Sequence, residues 1–286
     1  MNRILLSLVR KITRQLEGTG IGKVKPLFKI YAFMLFLLKP KMVITEDSKM
    51  YLDKTDSLLL SVYPNFEPLE TQLTKKYVKK GMVVVDAGAH IGYFTLLMSR
   101  LVGDKGVVHA FEPERENFEL LEKNVKINGY QNITINRKAL SDKKGKTKLF
   151  ISDENPQDHR IIKNRESKKY ELVQTITLDN YFGKGQKVDF IKMDIQGAEI
   201  FALKGGKRIL QENKLLKMII EFWPFALVQS GMKPDELLKM LQKLGKVRLI
   251  DGKTNTLKDI ENLNIASVAE SNLSNLLFER YDYIRS

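Results

Sequence analysis

The sequence predicts an α/β protein with a doubly wound, mostly parallel sheet, and three observations carry that expectation. From residue 81 onward, short apolar runs alternate with stretches of helical periodicity. The first run ends in Asp86-Ala-Gly88-Ala-His90-Ile-Gly92, a glycine turn leading directly into a helix. The second ends Ala110-Phe-Glu112-Pro113, placing an acid at a strand end about twenty residues further on. In such sheets ligands bind beyond the carboxyl ends of the strands.

The elements follow in order. Met82–Ala87 (MVVVDA) is apolar on both alternating faces, as expected of a buried parallel strand, and Ile91–Leu101 has helical periodicity. Val107–Glu112 reads as the next strand, Arg115–Asn128 as the next helix, and Ile133–Leu140 as a third strand. Val188–Asp194 (strand), Ala198–Gln211 (helix), Leu216–Phe222 (strand), Pro234–Leu244 (helix), Val247–Asp251 (strand) and Asn275–Tyr281 (strand) complete the pattern. Residues 141–187 interrupt the rhythm. There Thr147–Ile151 and Leu172–Leu178 read as strands flanking the charged stretch Asp153–Lys169, an insertion or lid beside the site. A second polar loop spans 252–274, and the chain has no internal repeat or low-complexity tract.

The 286 residues suit a catalytic domain over 61–286 preceded by a helical extension over 1–60. There is no cysteine, which removes disulfides, zinc–thiolate sites and cysteine nucleophiles, and fits a reducing, cytoplasmic setting. The net charge of +14 is concentrated at the start. Residues 1–41 carry nine basic side chains against one acid, Glu17. Ile4, Leu5, Leu8, Ile12 and Leu16 recur at helical spacing among Arg3, Arg10, Lys11 and Arg14, the pattern of a basic amphipathic helix. The apolar run Ile30–Leu38 has nine residues where a spanning helix needs roughly 20. No small-x-small cleavage site follows the basic stretch. Three readings stay open: an extension packed on the domain, a tether to the anionic inner face of a membrane, and, least favoured, a true span.

The glycine turn decides the cofactor class. Placing Gly88 as the middle glycine of G-x-G-x-x-G puts Asp86 and Ile91 where the outer glycines belong, so the dinucleotide fingerprint fails. No G-x-x-x-x-G-K-[ST] phosphate loop appears either. What remains, D-x-G-x-x-x-G, suits S-adenosyl-L-methionine: a turn to cradle the methionine end and an acid to orient it. Glu112 at the second strand end can accept both ribose hydroxyl protons.

Residues 81–95 (GMVVVDAGAHIGYFT), 111–113 (FEP), 139–142 (ALSD), 192–199 (KMDIQGAE) and 219–224 (IIEFWP) together resemble the FkbM family of S-adenosylmethionine-dependent methyltransferases. The resemblance covers roughly residues 60–245. It implies the Rossmann-like class I methyltransferase fold, seven strands with the last reversed. It also implies methylation of a hydroxyl group, usually on a sugar or natural product. By the same resemblance Asp86, Gly88 and Gly92 hold the methionine end, Glu112 the ribose, and a turn at Ala139–Leu140 the adenine; His90, inside the glycine motif, has two readings, contact with the cofactor or acceptor and packing of the loop. Phe66-Glu67-Pro68 looks like the family's acidic lead-in, folding over the cofactor.

On the acceptor side, a sugar hydroxyl is a poor nucleophile and benefits from a general base. Asp194 and Glu221 fall at the carboxyl ends of what should be adjacent strands. Either can take the proton, or together they offer a site for Mg2+. Asp194 has a structural alternative as a helix N-cap. Lys192 shares a strand face with Asp194, to pair with it or steer an anionic acceptor. Glu199 sits in the first turn of the following helix, where the dipole alone favours an acid. Where the family usually has Glu, this chain has Gln196, which weakens a metal site. Of the histidines, His109 reads as core and His159 as part of the polar insertion.

The expected acceptor is therefore a small molecule or glycan. The absent cysteine and the loop Asp194-Ile-Gln-Gly197 disfavour pyrimidine C5 and exocyclic amino methylation of nucleic acid. RNA ribose 2′-O-methylation and a non-catalytic protein retaining the cofactor fold are the alternatives.

Overall fold

The computed structural model describes residue 11 and residues 37–152, 169–252, 254–260 and 274–281. The amphipathic stretch read within residues 1–36, and most of the charged insertion with His159, lie outside the described residues. The chain divides into two compact units between Phe66 and Glu67. Among the described residues no helix is long and apolar enough to cross a membrane.

In the first unit, β1 (Met42–Thr45) and β2 (Ser48–Tyr51) form an antiparallel hairpin, so this part of the extension is not helical. Asp56, itself buried, accepts backbone N–H bonds from Leu60 and Ser61 and pins the turn that follows.

The second unit runs α1 (Pro68–Tyr77), β3 (Val83–Ala87), α2 (Tyr93–Val102), β4 (Val107–Phe111), α3 (Arg115–Asn128) and β5 (Ile133–Asn136). Then come β6 (Ala139–Leu140), β7 (Gly145–Ile151), β8 (Lys169–Ile176), α4 (Leu178–Tyr181) and β9 (Phe190–Met193). The chain continues through α5 (Glu199–Lys204), α6 (Lys207–Glu212), β10 (Lys217–Phe222), α7 (Pro224–Gln229), α8 (Pro234–Gln242), β11 (Gly245–Asp251), β12 (Thr256–Asp259) and β13 (Ser274–Arg280).

The large sheet has the order β12-β11-β13-β10-β9-β3-β4-β5. Strands β5, β4, β3, β9 and β10 are mutually parallel. The last strand, β13, inserts antiparallel between β10 and β11. Setting aside the edge strand β12, this is a seven-stranded doubly wound sheet with its final strand reversed. Its order jumps outward from β3, to β4 on one side and β9 on the other, so the crevice falls at the carboxyl ends of those strands.

Three further sequence expectations are corrected. The stretch read as one strand over Ile133–Leu140 breaks at Arg137-Lys138; Ala139–Leu140 is a short strand in a separate three-stranded sheet, β6-β8-β7, rather than a turn. The single helix read over Ala198–Gln211 is two, because Gly205-Gly206 interrupts it. A Cβ on Gly205 would lie 2.1 Å from the Ser141 carbonyl oxygen, a close approach that reserves the break for glycine. The polar loop after β11 contains the edge strand β12.

The main core lies where Val85, Ile191, Ile220 and Phe278 of the sheet meet Leu203, Ile209, Leu237 and Leu241. A smaller cluster joins Leu121 of α3 to Ala89 and Ala110, with Val125 and Ile135 against it. Leu121 is fully buried and its Cδ1 lies 2.7 Å from where a Cβ on Gly92 would stand. We expect Leu121→Ala to lower unfolding free energy by roughly 2–5 kcal/mol in a denaturant titration. A loss below about 0.5 kcal/mol would show that α3 does not brace the glycine turn.

Candidate active site

The site begins with backbone geometry. At the end of β3, Gly88 has φ +83°, and a Cβ there would lie 1.8 Å from the carbonyl oxygen of Asp194. Two strand exits, from β3 and β9, therefore touch backbone to backbone, and only glycine fits. The Gly88 and Ala89 N–H groups both donate to the Phe111 carbonyl, at 2.9 and 3.0 Å. Gly92, at φ +101°, turns the chain into α2. His90 also has positive φ, at 50°, and its backbone N–H donates to Glu112 Oε2 at 2.7 Å.

Each acid predicted for the cofactor lies in this crevice. Asp86, 2 % exposed, accepts a hydrogen bond from the Thr95 hydroxyl of α2. Glu112 receives the His90 N–H on one oxygen and the Glu114 N–H, at 2.9 Å, on the other. Each of its oxygens has one filled and one open lone-pair direction, which suits a pair of vicinal hydroxyl donors. Ala139 and Leu140 are buried and pair with Thr175 and Ile176 of β8.

Next to the glycine turn lies a row of charged groups at the carboxyl ends of β9 and β10. Lys192 Nζ is 3.4 Å from Glu67 and 3.4 Å from Asp194, and 4.9 Å from the Phe94 ring centroid. With its side chain 3 % exposed, Lys192 pairs with carboxylates inside the protein rather than steering a ligand from solvent. Gln196, at φ 54°, donates from its amide nitrogen to Asp194 (2.7 Å) and to Glu221 (2.9 Å). The bridge between those two acids is thus a neutral carboxamide, which reverses the donor logic of the Mg2+ site suggested by the sequence. Among the described residues no group of three or more His, Asp or Glu is arranged to hold a metal. Glu199, fully buried, accepts the N–H groups of Ile195 (3.1 Å) and Gly197 (3.3 Å). The N-cap position of α5 is Ala198, so Asp194 does not cap it.

Sequence reasoning missed Glu70, Phe94 and Thr95. Glu70, buried on α1, accepts from Asn275 of β13 at 2.8 Å. No sequence spacing links residues 70, 86 and 192; only the fold joins them. His109 faces edge-on the rings of Tyr181 and Phe182, and its Nδ1 lies 2.9 Å from the Tyr181 hydroxyl.

Burial dominates the electrostatics. It pushes Glu112 up to about 8, Glu67 and Glu199 to about 7 and Asp86 to about 6. Glu221 is raised well above the ordinary carboxylate range by burial, reinforced by Asp194 and Glu199. Burial opposes the charge on Lys192, but Glu67 and Asp194, with Glu70 and Asp86 behind them, outweigh it and hold its pKa above that of an ordinary lysine.

Taken together, a doubly wound sheet with a reversed final strand and an acid-flanked glycine turn at its crevice defines the Rossmann-like class I methyltransferase fold. A family model described as the methyltransferase FkbM domain matches residues 86–247, and the chain belongs to that family. It is 25% identical over 143 residues to "Methyltransferase 1" of Beauveria bassiana (strain ARSEF 2860), covering 43% of this chain and 57% of that relative. It is 26% identical over 185 residues to "Methyltransferase sdnD" of Sordaria araneosa, covering 53% of this chain and 68% of that one. The match thus spans little more than half the length of the first relative. A solved SAM-dependent methyltransferase from Aquifex aeolicus aligns over 75% of this chain and 90% of its own, at 17% identity and a TM-score of 0.41.

Two outcomes are expected. An acid with a raised folded-state pKa binds its proton more tightly folded than unfolded, so stability is lost as pH rises from the unfolded to the folded value. For these groups the window runs from about 4.5 to about 8. The melting temperature of the ligand-free protein should fall across it, and Glu112→Gln should flatten the upper end; a melting temperature that rises there overturns the assignment. Gly88→Ala should abolish cofactor binding in calorimetry, because strained φ and the Asp194 carbonyl leave no place for the methyl group.

Proposed function

We propose that the protein is an S-adenosylmethionine-dependent methyltransferase acting on a hydroxyl oxygen of a glycan, glycolipid or related natural product. The observation that carries this reading is the partly exposed Asp194, seated beside the buried Lys192 and backbone to backbone with the glycine turn. The cofactor, when bound, supplies an electrophilic methyl group on a sulfonium. Asp86 and the turn Gly88–Gly92 would hold its methionine end, Glu112 its ribose, and the segment at Ala139–Leu140 its adenine. The fit is chemical: carboxyl oxygens with open lone pairs where hydroxyl and ammonium donors must be met, and a backbone cradle that any Cβ at Gly88 would fill.

The remaining chemistry belongs to the chain. Asp194, with its side chain 25% exposed, is reachable from solvent, whereas Glu221 and Glu199 are 2 % and 0 % exposed. Asp194 takes the acceptor's hydroxyl proton on a carboxylate oxygen. Lys192 and Gln196 hold that carboxylate from two sides and fix its aim at the crevice. Trp223 and Phe225, with ring centroids 6.0 Å apart just past β10, offer an aromatic surface for a sugar face. The glycan class itself rests on the family resemblance. The basic segment 1–41 would place the protein on an anionic membrane surface, where lipid-linked sugars are assembled.

Tritiated-methyl transfer into a glycan and glycolipid extract, set against tRNA, tests the acceptor class; label entering tRNA alone would replace the glycan reading with ribose methylation. Asp194→Ala should cut turnover by about 10²–10⁴-fold while cofactor affinity from calorimetry stays within about threefold. Parallel loss of both would make Asp194 a cofactor ligand instead. Replacing Arg10, Lys11 and Arg14 with Gln should release the protein from anionic vesicles in a sedimentation assay, and retention would assign the segment to packing.

A further inference from the structure

The acids around Lys192 outnumber the cation that faces them. Lys192 meets Glu67 and Asp194 directly, and Glu70 and Asp86 act on its charge from slightly farther away. Glu199 and Glu221 then add two deeply buried carboxyl groups from α5 and β10. In each, Oε1 is bonded inside the protein, Glu199 to the Ile195 and Gly197 N–H groups and Glu221 to the Gln196 amide. In each, Oε2 is buried with no hydrogen-bond partner. A buried carboxyl oxygen left unfilled is costly, and two in one cluster form a site short of positive charge. The neighbouring Gln196 supplies only a neutral dipole.

We propose that this cluster reads the positive charge of the methyl donor, so that the site prefers cationic S-adenosyl-L-methionine over S-adenosyl-L-homocysteine, which is uncharged at sulfur. The inference rests on the cofactor reading given above. When the acceptor oxygen forms its bond to the methyl carbon, the carbon–sulfur bond breaks and its electron pair stays on sulfur. The sulfonium charge is thereby lost, and the hydroxyl proton passes to Asp194. Attraction that held the donor is absent for the product, which favours release and limits product inhibition.

Calorimetry on the full chain near pH 7.5 tests this with three ligands: the donor, its homocysteine product, and sinefungin, which carries an ammonium in place of the sulfonium. The donor and sinefungin should each bind at least tenfold more tightly than the product, about 1.4 kcal/mol. Glu199→Gln and Glu221→Gln, checked for an intact melting transition, should shrink that ratio severalfold. A product that binds the unaltered protein as tightly as the donor overturns charge reading while leaving the cofactor assignment in place. Failure of all three ligands to bind overturns the cofactor assignment itself.

Discussion

A single buried ammonium organises the catalytic end of this fold. Lys192 sits on β9, the strand beside the glycine turn, and lies within 3.4 Å of acids from two different segments, Glu67 ahead of α1 and Asp194 past β9. A lysine nearly sealed from water would normally lose its proton. Here the surrounding carboxylates reverse that tendency, and the Phe94 ring covers one side of the charge. The dependence is mutual. Without the ammonium, Glu67, Glu70, Asp86 and Asp194 would face one another across a largely buried crevice, and like charges at such range cannot all stay ionised. The residue therefore holds in place the acids that the proposed chemistry uses, without touching solvent itself.

Backbone proximity is the second constraint. Because Gly88 lies against the Asp194 carbonyl, the proposed cofactor turn and acceptor-side acid are one rigid unit rather than two loops in loose register. Positive φ recurs around it, at His90, Gln196 and Gly197, so the turns on both strand exits are locally strained. Hydrogen bonds offset the strain: Glu112 holds the His90 N–H, and Glu199 holds those of Ile195 and Gly197. Glu199 is thereby accounted for as the clamp of the Asp194–Gly197 loop. Its catalytic reading is not needed to explain its burial.

Gln196 shows how one uncharged side chain sets the character of a site. Its amide bonds Asp194 and Glu221 simultaneously, joining the exits of β9 and β10. A carboxylate in the same place would need a proton or a cation to make that bridge. The carboxamide makes it with its own two N–H groups.

Much of the architecture is legible in the chain itself. The apolar run Met82–Ala87, the periodicity of Arg115–Asn128 and the turn Asp86–Gly92 are local signals, because strand burial, helix phase and left-handed glycine each act within a few residues. The glycine turn with Glu112 at the next strand end was enough to point to the cofactor class. What the sequence could not reveal depends on contacts between distant residues. The break at Gly205-Gly206 is imposed by the Ser141 carbonyl pressing on Gly205, and the split after Asn136 by β6 joining β8 instead of β4. The convergence of Glu67, Glu70, Asp86, Lys192 and Glu221 is likewise tertiary: five residues far apart along the catalytic unit become neighbours only when β3, β9 and β10 lie side by side. By itself, then, the sequence determined the central parallel strands, the helices that follow the glycine turn and the second strand, and the glycine turn itself. Only the tertiary structure decided which acids share one buried ammonium, because charge pairing is set by distance in space and by exclusion of water.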